Sequence, residues 1–362
     1  MAVMTGLSGN EMYCLNLKGF RPGDLVVGNS VFSMGFLGNI GAGINTLIGG
    51  EVPQLTSIIH EGRNKAYSRM RAEAEAHGGC GITGVTNELR HFHGHTEFLS
   101  VASCLHRADG APESLLFSTS ANGQELYCQM DSGFQPIQFV FGNIAYSVGA
   151  GSGIIGTLKS LGRGEIKEFS DVFNRTRHLC LERISQEARR VGANAVVGIE
   201  TRTLPFSGTH EMFMLGTASS HPMLPPGSHG QVVTSDLTNE EMWNLVSMGY
   251  LPQKLLMGTA VYSLGVVGGI KAAFQSMGRG EITGLTTMVY DAREHAIGLM
   301  KSEADAIGAD DVVGIKTHIH EMGNLLEFMA IGTAVKKIPG VATLTPALPP
   351  QAIIKDKDTW IG

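Results

Sequence analysis

The chain has 362 residues, 27 Lys and Arg against 33 Asp and Glu, and a net charge of −6. That balance offers no basic footprint for a phosphate backbone and excludes a nucleic-acid partner as the first reading. Charged residues are only 17% and glycine reaches 48, so much apolar surface needs cover from the chain itself or from a neighbour.

The N-terminus M-A-V-M-T-G-L-S shows neither the basic nor the long apolar region of a secretory leader. Five scattered cysteines (Cys14, Cys80, Cys104, Cys128, Cys180) form no C-x-x-C, which fits a reducing compartment and a cytoplasmic location. Ser8-x-x-Glu11 caps a short helix that ends near Gly19-Phe20. After Pro22 the run Leu25-Val26-Val27 reads as a strand, and an uncharged glycine-rich stretch continues to residue 50. A longer helix is expected near 61–77, with Ala66, Met70 and Ala74 spaced four apart on one face and Gly78 at its C′ position. Two strands then pair as a hairpin.

The same succession recurs twice more at offsets of 114 and 116. Asn122-x-x-Glu125 and Thr238-x-x-Glu241 are the sister caps, each preceded by a short β-like run near 115–117 or 232–233. The sister helices lie near 175–191 and 291–307, and the sister hairpins join 195–202 to 212–218 and 312–319 to 326–335, with Gly208 and Gly323 in their loops. Gly78-Gly-Cys-Gly-Ile-Thr-Gly84 returns as Gly192-Ala-Asn-Ala-Val-Val-Gly198 and Gly308-Ala-Asp-Asp-Val-Val-Gly314. The alignment from Ser8 to Cys104 needs no gap, so the chain is three tandem copies of one unit. The units are 1–107, 115–221 and 231–338, and 339–362 form a Pro-rich tail able to reach a neighbouring subunit. The fold class is α+β, each unit a small antiparallel or mixed sheet packed on a long helix, with a Gly-rich apolar arm.

The repeats also judge the motifs. Gly151-Ser-Gly153-Ile-Ile-Gly156 has the G-x-G-x-x-G spacing of a dinucleotide turn. Its sisters, Leu37–Ala42 and Val267–Ala272, do not keep it, so nucleotide binding is not expected. The uncharged stretches 25–50 and 132–158 are long enough to span a bilayer, but they are rich in Gly, Ser and Asn, and Lys271 interrupts the third. Membrane insertion is not expected. What persists in the arms is Gly35, Gly149 and Gly265 with Ile40, Ile154 and Ile270, which mark assembly contacts where backbones approach closely.

Arg63, Arg177 and Arg293 are the only basic residues kept in all three units. Besides the capping Glu11/125/241, the kept carboxylates are Glu51/165/281, Glu73/187/303 and Glu97/211/327. The arginines are read as structural ion pairs with Glu73, Glu187 and Glu303; a ligand clamp at unit interfaces is the weaker alternative. No kept set supplies a nucleophile with its base, so no catalytic residue and no enzyme is expected. His91, His93 and His95 alternate, and on a continuous strand they would share a face able to hold a divalent transition metal. The sister positions are not histidine, so such a site would belong to the first unit alone.

The G-A-N-A-V-V-G-I run, the helix before it with an arginine near its start, and the strand after it ending G-T-A resemble the UPF0145 (YbjQ-like) family. Copies two and three match best; copy one departs at the signature, with Gly-Gly-Cys-Gly-Ile-Thr and Val101-Ala-Ser-Cys104. The resemblance implies a small α+β unit and ring-forming oligomers with five-fold symmetry. The family's heavy-metal-binding label brings no ligands of its own. The expected function is therefore a non-enzymatic, self-assembling structural protein that forms a ring or shell, with itself as partner and a protein cargo of unknown kind. Heavy-metal binding through His91, His93 and His95 is the alternative, and no cofactor is otherwise expected.

Overall fold

The computed structural model describes residues 2–33, 50–110, 114–147, 164–206, 209–227, 231–263, 283–322 and 325–354. The arm positions Gly35, Ile40, Gly149, Ile154, Gly265 and Ile270, residues 151–156 and the loop glycines Gly208 and Gly323 lie outside them.

Each unit opens with a short helix: α1 (Gly9–Leu17), α3 (Gly123–Asp131) and α5 (Asn239–Ser247). All three begin in a complete capping box, on Ser8, Asn122 and Thr238. A long strand follows: β1 (Phe20–Ser33), β6 (Gln135–Ser147) and β11 (Tyr250–Ser263). These strands start before the proline, not after it as the sequence suggests. Each breaks register there, at Pro22/Leu25, Pro136/Gln138 and Pro252/Lys254, where a bulge tolerates the missing N–H.

The long helices are α2 (Pro53–Ala76), α4 (Lys167–Arg190) and α6 (Thr283–Ala306), starting eight residues earlier than the periodicity predicts. Their C-terminal halves pack on their own sheets through the expected stripes. Gly28, Gly142 and Gly258 make this possible: a Cβ there would come within 2.1 Å of Ala66 O, 2.6 Å of Cys180 O and 1.9 Å of Ala296 O. The hairpins are β3 (Gly81–Phe92) with β4 (His95–Arg107), β8 (Ala195–Phe206) with β9 (Thr209–Ser220), and β12 (Asp311–Met322) with β13 (Leu325–Lys337).

Two-residue strands stitch the units together: β2 (Gly50–Glu51), β5 (Phe117–Ser118), β7 (Gly164–Glu165) and β10 (Val233–Thr234). The sheets run β1-β4-β3-β5, β10-β8-β9-β6-β2 and β12-β13-β11-β7. Each unit thus supplies an antiparallel three-stranded core and lends short strands to its neighbours. The start of one unit lies parallel to the third core strand of the unit before it, as in Gly81↔Phe117 and Ala195↔Val233. The segment leading into a long helix lies antiparallel on the first strand of the unit after it, as in Glu51↔Tyr146 and Glu165↔Tyr262. The tail does not leave the chain within the described residues. It folds across the short helices, where Thr345 Oγ1 donates to Asp131 Oδ2 at 2.7 Å and Gln124 Nε2 donates to Ile354 O at 2.8 Å.

Candidate interface between units

The N-terminal halves of α2 and α4 belong to the joint with the next unit. Thr56 Oγ1 accepts from Ala145 N at 3.0 Å, and Ser170 Oγ, its counterpart, accepts from Val261 N at 2.9 Å. Asn174 holds Thr259 from both sides, accepting from its N–H at 2.9 Å and donating to its carbonyl at 2.7 Å. Around these bonds the apolar face of the helix meets the outward face of the next unit's sheet. Tyr67 and Met70 pack into one core cluster with Phe139, Phe141, Phe213 and Leu215. Phe169, Phe173 and Leu181 share another with Leu255, Met257 and Val261.

Each joint has one buried ion pair at its centre. Arg63 donates from Nε and Nη2 to Glu211 at 3.0 and 2.6 Å, while its Nη1 reaches Asn87 Oδ1 at 2.8 Å. Its guanidinium lies 3.8 Å from the centre of the Phe213 ring. Arg177 repeats the arrangement on Glu327, with Nε to Oε1 at 3.0 Å and Nη2 to Oε2 at 2.7 Å, and adds a bond from Nη2 to Tyr146 Oη at 2.8 Å. All four charged side chains are fully buried. Burial works against the Arg177 charge, but Glu327 beside it more than compensates and holds the guanidinium above its ordinary value.

This corrects the pairing read from the sequence. Arg63 does not meet Glu73, which accepts from Val27 N at 2.5 Å, and Glu187 turns to Arg190. Glu303 binds Lys254 Nζ at 2.5 Å and faces His178 Nε2 at 3.4 Å, so it too serves elsewhere than at Arg293. Arginine and Glu73-type carboxylate stand on one helix ten positions apart, too far around and along it to touch. The true partner is the other kept carboxylate, one unit further along the chain.

The histidines are also rearranged. His93 (φ 44°) and Gly94 (φ 74°) form the two-residue turn between β3 and β4, so alternation ends at His91. His91 Nδ1 lies 3.1 Å from Thr96 Oγ1, and His95 Nδ1 lies 3.0 Å from the His93 carbonyl. The turn removes the shared strand face, and no group of three or more His, Cys, Asp or Glu gathers as a metal set among the described residues. At the first joint a groove of about 740 Å³ opens beside the ion pair, lined by Glu51, His60, Lys65, Asn143 and Arg183. Arg183 is already taken by Glu51 at 2.7 Å.

Sequence reasoning missed Asn87, Tyr146 and the Thr56/Ser170 bonds. The signal was present: Leu55, Ile59 and Arg63 continue the helix stripe upstream, as do Phe169, Phe173 and Arg177.

The comparisons with known proteins follow this division. Residues 20–103, 134–221 and 252–337 each match the YbjQ family, described as "Putative heavy-metal-binding". The chain belongs to that family, in three tandem copies. It is similar to a Mycobacterium tuberculosis protein named encapsulin nanocompartment protein Rv1762c, 35% identical over 225 residues, covering 59% of this chain and 83% of that protein. It is also similar to single-unit UPF0145 proteins. That of Thermosipho melanesiensis is 37% identical over 86 residues, 24% of this chain and 80% of that protein; that of Helicobacter hepaticus is 38% identical over 98 residues, 25% and 95%.

Proposed function

We propose that the chain is a non-enzymatic structural protein of the cytoplasm that assembles with copies of itself into a closed shell. The observation that carries the reading is its similarity, over 83% of that relative's length, to a protein named as a nanocompartment encapsulin. Two features of the chain support it. Repeated units already join to one another by strand exchange and buried apolar faces, the chemistry a multi-subunit wall needs. The fully buried ion pairs present no exposed donor to a small ligand. The five cysteines are buried and in no disulfide, and burial pushes Cys14 and Cys104 up to about 11 and Cys180 up to about 12, which disfavours the nucleophilic thiolate at those three. No described helix is long and apolar enough to cross a membrane.

Mass photometry and negative-stain microscopy of the purified chain test the reading. Hollow particles of many chains are expected, and a monomer at micromolar concentration would end it. Elemental analysis of the same sample reads out the metal question: less than one equivalent of transition metal per chain is expected, unchanged when His91, His93 and His95 are replaced by alanine.

A further inference from the structure

Both joints are heterologous: the helix of one unit covers the sheet of the next. A chain of three units therefore has two unlike ends. At one end, Leu25, Val27 and Val31 on β1 are 39%, 43% and 49% exposed. Their counterparts Phe139, Phe141 and Ala145, and then Leu255, Met257 and Val261, are all buried beneath the preceding unit's helix. Beside that face Glu97, the counterpart of Glu211 and Glu327, is half-buried and accepts from Asn29 Nδ2 at 2.9 Å.

At the other end α6 shows the complement. Tyr290 is 63% exposed and Arg293 is exposed, whereas Arg63 and Arg177 are fully buried. Leu285 and Val289 are half-buried where Leu55, Ile59, Phe169 and Phe173 are buried. Arg293 makes no hydrogen bond or ion pair with the described residues. The third core strand agrees. Gly81–Thr83 and Ala195–Val197 are buried under β5 and β10, but Asp311–Val313 of β12 are not. The residues at the register of β5 and β10 in the first unit are Val3 and Met4, which are 47% and 75% exposed.

We infer that these two ends are the halves of a third joint, formed between chains. Arg293 of one chain pairs with Glu97 of the next, Leu285, Val289 and Tyr290 cover Leu25, Val27 and Val31, and residues 3–4 of the second chain lie parallel to β12 of the first. The occupant is a second copy because the same molecule carries both complements in the register that its own two joints already use. The inference rests on the self-assembly reading and specifies its contact. It also limits symmetry. A heterologous contact closes into a ring or runs on as a filament, so this joint gives cyclic order and not a two-fold dimer.

Charge reversal separates this contact from the broader reading. In the lone chain Arg293 is exposed and Glu97 only half-buried, so Arg293→Glu and Glu97→Arg each keep the wild-type circular dichroism. Each alone sets like charges against each other and loses the assembled particle in mass photometry. Mixed in equal amounts they form a complex of at least two chains, because the Glu97 retained by one variant meets the Arg293 retained by the other. As a second measurement, chains carrying both Asn29→Cys and Tyr290→Cys, positions matching the Thr259 and Asn174 contact, are joined between molecules by a short bis-maleimide. A ladder of covalent oligomers on denaturing gels is expected. Particles that persist in either single variant, or assembled particles that give no ladder, overturn the inference while the shell reading stands. A monomeric wild type overturns both.

Discussion

The two joints inside the chain share a backbone and one ion pair, yet they satisfy the guanidinium differently. In the first, Arg63 spends Nε and Nη2 on Glu211 and Nη1 on Asn87, so every face of the charge is held. In the second, Thr201 stands where Asn87 would, and Arg177 Nη1 and Thr201 Oγ1 make no hydrogen bond. Tyr146 and the partly buried His210 and His320 fill the surroundings, where the first joint has Phe32, Thr96 and Leu204. A fully buried charge tolerates little incompleteness. The first joint is therefore the well-satisfied version and the second depends more heavily on its carboxylate.

The largest expected effect follows from that dependence. Removing one partner of a buried pair leaves an uncompensated charge and costs about 3–5 kcal/mol. Glu327→Ala should sit at the upper end of that range, because Tyr146 alone remains on Arg177. Glu211→Ala should cost less, since Asn87 still holds Arg63. Denaturant melts of the two variants decide it, and equal losses would erase the distinction between the joints. Tyr146→Phe comes next. It removes one hydrogen bond to a charged group, worth about 1.5–3 kcal/mol, and amide exchange should quicken around β6 and α4 without spreading to β3. The graft Thr201→Asn runs the other way: it gives Arg177 Nη1 the amide that Arg63 enjoys, for a gain of about 1 kcal/mol.

Much of this fold was legible in the sequence, and the reason is periodicity. Three ungapped copies made each glycine a comparison; Gly78, Gly192 and Gly308 do take φ of 70°, 76° and 64° at the helix ends. What local reasoning could not see was exchange. Arg63 and Glu73 are close in sequence, whereas Arg63 and Glu211 are 148 positions apart, and no local pattern ranks one glutamate above the other. The early helix start failed for the same cause. The first two turns of α2 bury Leu55 and Ile59 partly against Ala145 and Phe206 of the next unit, so their stripe made no sense within one unit. The histidine face failed on a single turn, because His93 and Gly94 take positive φ and reverse the chain.

Acid should probe the second joint with the smallest of these effects. Burial, reinforced by Arg177, holds His210 below the ordinary imidazole value, and burial likewise lowers His320. Both are therefore neutral in the fold and bind a proton more readily when unfolded. Their contribution is fully present above about pH 6.5 and is lost as pH falls below it. His178 has the opposite sign, since its hydrogen bond to Glu303 raises it; that contribution is present below about pH 6.5 and fades as pH rises through the folded value. Between pH 7 and 5 His210 and His320 therefore weaken the second joint, and His178 opposes them. Replacing His210 by Thr and His320 by Leu imports the first joint's residues at those positions and removes both losing groups. The double variant should then lose less melting temperature than the wild type between pH 7 and 5. An identical loss in the two proteins would place the acid sensitivity outside this joint.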